Sequence, residues 1–248
     1  MKSLLSIGIL ALAGKLAVAQ DDCPDIPEND VEIGEPVPMN PDHIPDGCSA
    51  YEILVARKAR GTSEPNYEEG DGKFGFIVGD PIVSNVTEIL PDARGYPVQY
   101  PASARIISGT RQGKEDVIQR LESQSAACPD QTFSLVGYSQ GAGVMHAAAG
   151  DLPEELYPKI KSIVMFGDPM LKLGSRGEFP EGLQEKVLQN CADGDPTCDS
   201  GTCAYWHLTY IRPEYINPSV EFIVNAFTDG AEGDVPNVPI DNGTVTAV

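Results

Sequence analysis

The sequence has little positive charge. It contains 17 lysines and arginines against 37 aspartates and glutamates, which gives a formal net charge of −20. No lysine or arginine occurs between Ala19 and Arg57 or after Arg212. Because polyanions are recognised through basic patches, we expect neither nucleic acid nor an anionic membrane surface as a partner.

Long apolar runs are also scarce. The N-terminal stretch from Leu4 to Ala13 follows Lys2 and precedes Ala17-Val18-Ala19, the order of a signal peptide with an A-x-A cleavage site. No other segment of the sequence approaches the ~20 apolar residues that a membrane span requires. We therefore predict a signal peptide at residues 1–19 and a secreted protein without a membrane partner.

Two further segments have too little apolar surface to form a core. Residues 20–47 are acidic and rich in proline, and residues 229–248 have a similar composition. We predict an extended N-terminal arm and a flexible tail, with a catalytic domain at residues 48–228 between them. No internal repeat is visible in the sequence.

One motif in this domain suggests a nucleophile. Ser139 lies in Gly137-Tyr138-Ser139-Gln140-Gly141, between the apolar run that starts at Phe133 and a stretch of small residues. A strand, then G-x-S-x-G, then a helix is the context of a nucleophile elbow, in which the glycines permit a sharp turn. We predict that Ser139 is the nucleophile.

Histidine is rare, which narrows the search for a base. The three histidines are His43, His146 and His207. Hydrolases with this elbow present serine, then an acid, then histidine along the chain. His43 precedes the serine, and His146 lies two turns along the helix that follows Ser139, where we expect a structural role. His207 is therefore the predicted base.

The acid is expected before His207, in a rigid loop. The segment from Cys191 to Cys198 offers Asp193 and Asp195 between two cysteines. A disulfide there would fix the loop that carries the carboxylate. Composition alone does not separate the two aspartates.

Several motifs in order resemble the cutinase family of secreted serine esterases, which includes cutinases and acetylxylan esterases. The resemblance spans Cys48 to Phe227. The matching pieces are Ala59-Arg60-Gly61-Thr62-Ser63-Glu64, Tyr96 to Ala102, Cys128-Pro129-Asp130 before the elbow, Gly194-Asp195 between Cys191 and Cys198, and His207 followed by Tyr210.

The resemblance implies a role for individual residues. It selects Asp195 as the acid that orients His207, and it places a second oxyanion donor at Thr62, where many family members have serine. The residue after the nucleophile, Gln140, supplies the first oxyanion donor through its backbone N–H. No metal or other cofactor is expected.

The cysteines and glycosylation sequons agree with secretion. Six cysteines, an even number, fit an oxidising compartment. The family pattern implies the disulfides Cys48–Cys128 and Cys191–Cys198, which leaves Cys23 and Cys203 as the simplest third pair. Asn85-Val86-Thr87 and Asn242-Gly243-Thr244 are predicted glycosylation sites.

Short apolar segments alternate with helical patterns, which predicts an α/β domain with a mostly parallel sheet covered on both faces. The predicted strands are Tyr51–Ala56, Pro97–Tyr100, Thr132–Tyr138, Ser162–Gly167 and Lys186–Asn190. The predicted helices are Pro81–Leu90, Arg111–Ala126, Gln140–Ala149 and Ser219–Phe227. The resemblance implies a three-layer α/β/α sandwich of the α/β-hydrolase type without a large lid.

The resemblance implies a serine esterase that acts on a polymeric ester, and we expect a monomer. Ala59-Arg60-Gly61 looks more like cutinases, whereas Gly167-Asp168-Pro169-Met170 looks more like acetylxylan esterases. Tyr205 and Trp206 beside His207 could form an apolar rim or a platform for sugar rings, or Trp206 could pack in the core. We favour cutinase, with acetylxylan esterase as the alternative. A catalytically silent binding or effector protein on the same fold is a third possibility.

Overall fold

Five strands and four helices form the described part of the chain. The computed structural model describes residues 23–24, 40–56, 73–101 and 106–228. The strands are β1 (Tyr51–Ala56), β2 (Ala93–Pro97), β3 (Thr132–Tyr138), β4 (Ile160–Phe166) and β5 (Val187–Asn190). The helices are α1 (Gly79–Ile89), α2 (Ile106–Ala127), α3 (Gln140–Asp151) and α4 (Pro213–Thr228).

Several predictions fall outside these residues. The signal peptide at residues 1–19, nearly all of the arm before residue 40, and the tail at 229–248 are among them. Thr62 and Asn242 also lie outside the described residues. No helix within the described ranges has the length and apolar character needed to cross a bilayer.

All five strands are parallel and have the order β2-β1-β3-β4-β5. Successive side chains of a strand point to opposite faces of the sheet. In β1, Leu54 and Ala56 enter one apolar core, whereas Ile53 and Val55 enter the other. The central strands are therefore buried on both faces, as expected for a parallel sheet.

The helices cover the two faces in pairs. Helices α2 and α3 contribute Val117, Leu121 and Met145 to one core. Helices α1 and α4 contribute Ile82 and Val220, among others, to the other core. This arrangement confirms the predicted three-layer α/β/α sandwich.

The second strand was predicted in the wrong place. It runs over Ala93–Pro97 instead of Pro97–Tyr100, and it pairs with β1 from Tyr51↔Ala93 to Val55↔Pro97. Arg94 interrupts the apolar pattern, but its guanidinium bonds the buried carboxylate of Glu52 at 2.7 Å. An ion pair with a neighbouring strand thus allows a charged residue at this position.

Three helices begin earlier than predicted, α1 by only two residues and α2 and α4 by more than one turn. Helix α2 starts at Ile106 and helix α4 at Pro213, whereas the patterns indicated Arg111 and Ser219. Ser108, Gly109 and Thr110 interrupt the apolar pattern near the start of α2, and Pro218 inside α4 imitates a helix boundary. Proline is well tolerated at the first position of α4, because an N–H group at that position would have no acceptor within the helix.

The predicted site residues lie at the edge of the sheet formed by the carboxyl ends of its strands. Ser139 follows β3, Gly167 follows β4, and the Cys191–Cys198 loop follows β5. Because β3, β4 and β5 are adjacent and parallel, the three segments emerge side by side.

Candidate active site

Ser139 occupies a strained turn between β3 and α3. Its φ of 57° makes it the one non-glycine residue with positive φ among the described residues. Its backbone N–H donates to Phe166 O at 2.9 Å, which ties the turn to β4. Strain of this kind persists only where the surrounding structure enforces it, and it concentrates at active sites.

Both glycines of the motif are required by close packing. A Cβ on Gly141 would lie 1.9 Å from Ala56 O, and one on Gly137 would lie 2.8 Å from the Cα of Ala142. Helix α3 can therefore approach β1 and β3 only with glycine at both positions. This approach gives the sharp turn that the motif predicts.

His207 lies between Ser139 and Asp195. Its Nε2 is 2.8 Å from Ser139 Oγ, and its Nδ1 is 2.7 Å from Asp195 Oδ2. The ring is almost fully buried at the start of the short 3-10 helix Trp206–Ile211. Tyr138, the second residue of the elbow motif, donates its hydroxyl to His207 O at 2.6 Å. The structure thus brings together the three residues predicted from the sequence.

The structure distinguishes the two candidate acids. Asp195 is fully buried and contacts His207, whereas Asp193 is exposed. Asp195 Oδ1 accepts from Thr197 N at 2.7 Å, and Oδ2 accepts from Tyr210 Oη at 2.5 Å as well as from His207. Burial acts to raise the pKa of Asp195, but the hydrogen bonds from His207 and Tyr210 outweigh it and hold the pKa below its usual value.

The other two histidines bond elsewhere. His146 Nε2 lies 2.8 Å from the fully buried carboxylate of Asp168, and the ring stacks on Phe179 at 3.9 Å. His43 lies in the last part of the N-terminal arm, where its Nε2 is 3.1 Å from the side-chain amide of Asn40. The expectation that His146 has a structural role agrees with this geometry.

Gln140 is the first residue of helix α3. The N-terminus of a helix favours negative charge because the peptide dipoles are aligned along the helix axis, and this position agrees with the predicted role of Gln140 as an oxyanion donor. The second predicted donor, Thr62, lies outside the described residues.

Gly167 was not predicted as a site residue, but its backbone lies against the imidazole of His207. It has a φ of +53°, and a Cβ there would lie 2.6 Å from His207 Cε1 and 3.1 Å from Asp195 Oδ2. The glycine is the first residue of Gly167-Asp168-Pro169-Met170, the motif that resembles acetylxylan esterases. A glycine directly after an apolar strand was the available signal.

Three disulfides pair the six cysteines, namely Cys23–Cys203, Cys48–Cys128 and Cys191–Cys198. Cys191–Cys198 closes the acid loop, and Cys23–Cys203 ties the N-terminal arm to the segment before His207. Cys48–Cys128 lies at the other end of the sheet, next to the starts of β1 and β3.

Two other predicted features are placed by the structure. Trp206 packs partly against the core, and a Cβ on Gly194 would lie 3.0 Å from its ring. Asn85 is exposed on helix α1. Among the described residues, no group of three or more His, Cys, Asp or Glu side chains could hold a metal ion.

Comparison with known families places this geometry in context. The family model described as Cutinase matches residues 47–227. Cutinase cut1 of Trichoderma harzianum is 33% identical over 171 residues, covering 66% of this chain and 63% of that cutinase. The chain therefore spans less than two thirds of that relative's length.

Two further similarities cover more of the chain. A probable carboxylesterase, Culp3 of Mycobacterium tuberculosis, is 29% identical over 208 residues, or 78% of this chain and 74% of the relative. The structure of Trichoderma reesei cutinase in complex with a C11Y4 phosphonate inhibitor superimposes with a TM-score of 0.59. It is 28% identical and covers 73% of this chain and 77% of that one.

The first prediction concerns the close approach of Gly167 to the imidazole. We expect Gly167→Ala to lower kcat by about 10²-fold or more, because the methyl group displaces His207 from Ser139 and small misplacements are costly. Gly174→Ala is the matched control, with a similar φ of +57° but no atom within 4 Å of its Cβ. The control should lose about 1–3 kcal/mol of stability through backbone strain and keep its kcat. Equal kcat in the two variants would contradict the conclusion that the close approach of Gly167 to His207 is required for activity.

The second prediction compares two disulfides. Cys191→Ser/Cys198→Ser should lower kcat strongly, by up to about 10⁴-fold, because Asp195 loses the loop that holds it against His207. Cys48→Ser/Cys128→Ser should lower the free energy of unfolding by about 2–5 kcal/mol with little change in kcat, since that bridge closes a long loop. Steady-state kinetics and thermal unfolding of both variants test this. Full activity without Cys191–Cys198 would show that the bridge does not hold the acid.

Proposed function

Because this chain belongs to the cutinase family, we propose that it is a secreted serine esterase that hydrolyses carboxylic esters through an acyl-enzyme. The observation that supports this proposal most directly is the hydrogen-bonded series Ser139–His207–Asp195 at the carboxyl edge of the sheet. A nucleophile, a base and an orienting acid in this geometry are the parts that acyl transfer requires.

In the acylation step, Ser139 Oγ attacks the ester carbonyl carbon while His207 Nε2 takes the hydroxyl proton. Asp195 accepts the Nδ1–H of His207, which leaves Nε2 unprotonated as the base and stabilises the imidazolium that forms. The tetrahedral intermediate then collapses. The carbon–oxygen bond to the alcohol breaks, His207 returns the proton to the leaving oxygen, and the acyl group stays on Ser139.

In the deacylation step, His207 takes a proton from water, and the resulting hydroxide attacks the acyl carbon. The carboxylic acid leaves and Ser139 regains its proton from His207. In both steps, we propose that the backbone N–H of Gln140 and the backbone N–H and hydroxyl of Thr62 bind the oxyanion. Such donors act on the charge that develops in the transition state.

We propose a polymeric polyester such as cutin, or short acyl esters, as the substrate class. Leu171 and Leu173 are exposed on the 3-10 segment Pro169–Gly177, which follows Gly167. Lys172, between them, donates a hydrogen bond from its ammonium to Pro196 O, so this segment contacts the loop that carries Asp195. Exposed apolar side chains at this edge suit an aliphatic chain better than a polysaccharide.

The remaining parts of the proposal concern processing and partners. We propose that residues 1–19 are a signal peptide, that residues 20–47 form an arm tethered through Cys23, and that residues 229–248 form a tail. The secreted monomer would bind neither nucleic acid nor a membrane. Asn85 on α1 and Asn242 in the tail are the proposed glycosylation sites.

The third prediction concerns the triad. We expect Ser139→Ala and His207→Ala each to lower kcat by about 10⁴–10⁶-fold with the fold intact, because the three residues act as a unit. His146→Ala is the control, and it should cost stability by removing a donor from buried Asp168 while retaining most activity. If His146→Ala inactivates the enzyme and His207→Ala does not, the assignment of the base is wrong.

The fourth prediction concerns the substrate. We expect the enzyme to hydrolyse p-nitrophenyl butyrate and to release monomers from emulsified cutin faster than it releases acetate from acetylated xylan. Ser139→Ala supplies the background rate in each assay. Faster release of acetate would favour the acetylxylan esterase alternative, which the motif Gly167-Asp168-Pro169-Met170 resembles. Failure to hydrolyse any of the three would favour a silent binding protein.

A further inference from the structure

Tyr210 shares the catalytic acid with His207. Its Oη lies 2.5 Å from Asp195 Oδ2, the same oxygen that His207 Nδ1 contacts at 2.7 Å. The other carboxylate oxygen, Oδ1, accepts from Thr197 N. Oδ2 therefore receives two side-chain donors, and its position relative to His207 depends on both.

The hydrogen-bond pattern settles which atom donates. A phenol has one hydrogen, and an ionised carboxylate can only accept. Ala192 N–H donates to Tyr210 Oη at 3.1 Å, so the tyrosine hydrogen is free to point to Asp195. Burial and the contact with Asp195 raise the pKa of Tyr210 far above its ordinary value, so the hydroxyl stays protonated.

The hydroxyl also connects the segment that carries His207 to the loop that carries Asp195, and the proposed reaction requires a fixed distance between them. Tyr210 lies on the 3-10 helix that carries His207, whereas Ala192 and Asp195 lie in the loop after β5. One oxygen atom thus bridges the histidine segment to both the backbone and the carboxylate of the acid loop. The bridge fixes the distance between the acid and the base.

On the basis of the proposed function, we propose that Tyr210 is a positioning residue of the triad. Its hydroxyl aligns Asp195 Oδ2 with His207 Nδ1. By donating to the same oxygen, it also partly neutralises the carboxylate charge that stabilises the imidazolium. Tyr210 does not touch the reacting atoms, so it acts through Asp195. Charge-assisted hydrogen bonds of this kind are stronger than neutral ones.

The aromatic ring and the hydroxyl can be separated by substitution. The ring packs edge-on against Phe166 and Tyr138, with centroids 5.8 Å away in each case, and against Tyr215 at 5.1 Å. Phenylalanine keeps these contacts and removes the oxygen alone. Tyr210→Phe therefore tests the hydroxyl with the core contacts retained.

The fifth prediction is a specific kinetic signature for Tyr210→Phe. We expect kcat for p-nitrophenyl butyrate to fall by about 10–100-fold, the range for loss of a hydrogen bond to a charged group. KM should change by less than about twofold, because the hydroxyl is buried behind the acid. The acidic limb of the pH profile of kcat/KM should move to higher pH, because more negative charge on Oδ2 favours the protonated imidazole.

Tyr96→Phe is the matched control. Tyr96 is a buried tyrosine whose hydroxyl donates to Asp116 at 2.9 Å, on β2 at the opposite edge of the sheet from β5. This variant also loses a buried tyrosine–aspartate hydrogen bond, so it should lower Tm. It should leave the pH profile unchanged, since a purely structural loss does not alter the proton affinity of the base.

Two further variants keep the test decisive. In an Asp195→Asn background, Tyr210→Phe should have little additional effect on kcat, because both changes act through one carboxylate. If Tyr210→Phe does not fold, 3-fluorotyrosine at position 210 keeps the ring and hydroxyl but makes the phenol a stronger donor. The acidic limb should then move to lower pH, the opposite direction.

The outcomes separate this inference from the proposed function. If Ser139→Ala is inactive while Tyr210→Phe matches the wild type in kcat and pH profile, the positioning role is wrong and the esterase proposal stands. Equal shifts in the profiles of Tyr210→Phe and Tyr96→Phe, or additive losses with Asp195→Asn, would also overturn it. If the wild type hydrolyses no ester, the proposed function fails first.

Discussion

The hydrogen bond between Asp195 and His207 is the interaction on which the site depends. The carboxylate is fully buried, and a buried charge is stable only when donors surround it. Here the donors are His207, Tyr210 and the backbone of Thr197. The contacts that keep Asp195 ionised also hold the imidazole of His207 in place. The loop that carries Asp195 must therefore keep one geometry both for stability and for the proposed reaction.

The parallel sheet makes this arrangement possible. Three neighbouring strands end at one edge, and each supplies a different part of the site. Ser139 follows the central strand β3, Gly167 follows β4 and supports the ring of His207, and Asp195 lies in the loop after β5. The Cys191–Cys198 disulfide closes that loop and restricts its backbone.

The sequence predicted four of the five strands to within about two residues and misplaced only β2. Strands β1 and β3 have the expected bounds, whereas Arg94 concealed β2 because its partner, Glu52, lies on another strand. Ser139 was predicted as the nucleophile from the G-x-S-x-G motif, and His207 was predicted as the base because the sequence has only three histidines. The hydroxyl of Tyr210 could not be identified in this way, since its importance arises from contacts with residues distant in the sequence, whereas Gly167 carried only the weak signal of a glycine directly after an apolar strand.

The most direct test of the account is labelling with a fluorophosphonate followed by mass spectrometry of the digested protein. If His207 and Asp195 activate Ser139, the adduct forms on Ser139 and its rate of formation falls by orders of magnitude in Asp195→Asn. An adduct on another residue would contradict the account. An unchanged labelling rate in Asp195→Asn would also contradict it, because the buried carboxylate would then have no part in activating the nucleophile.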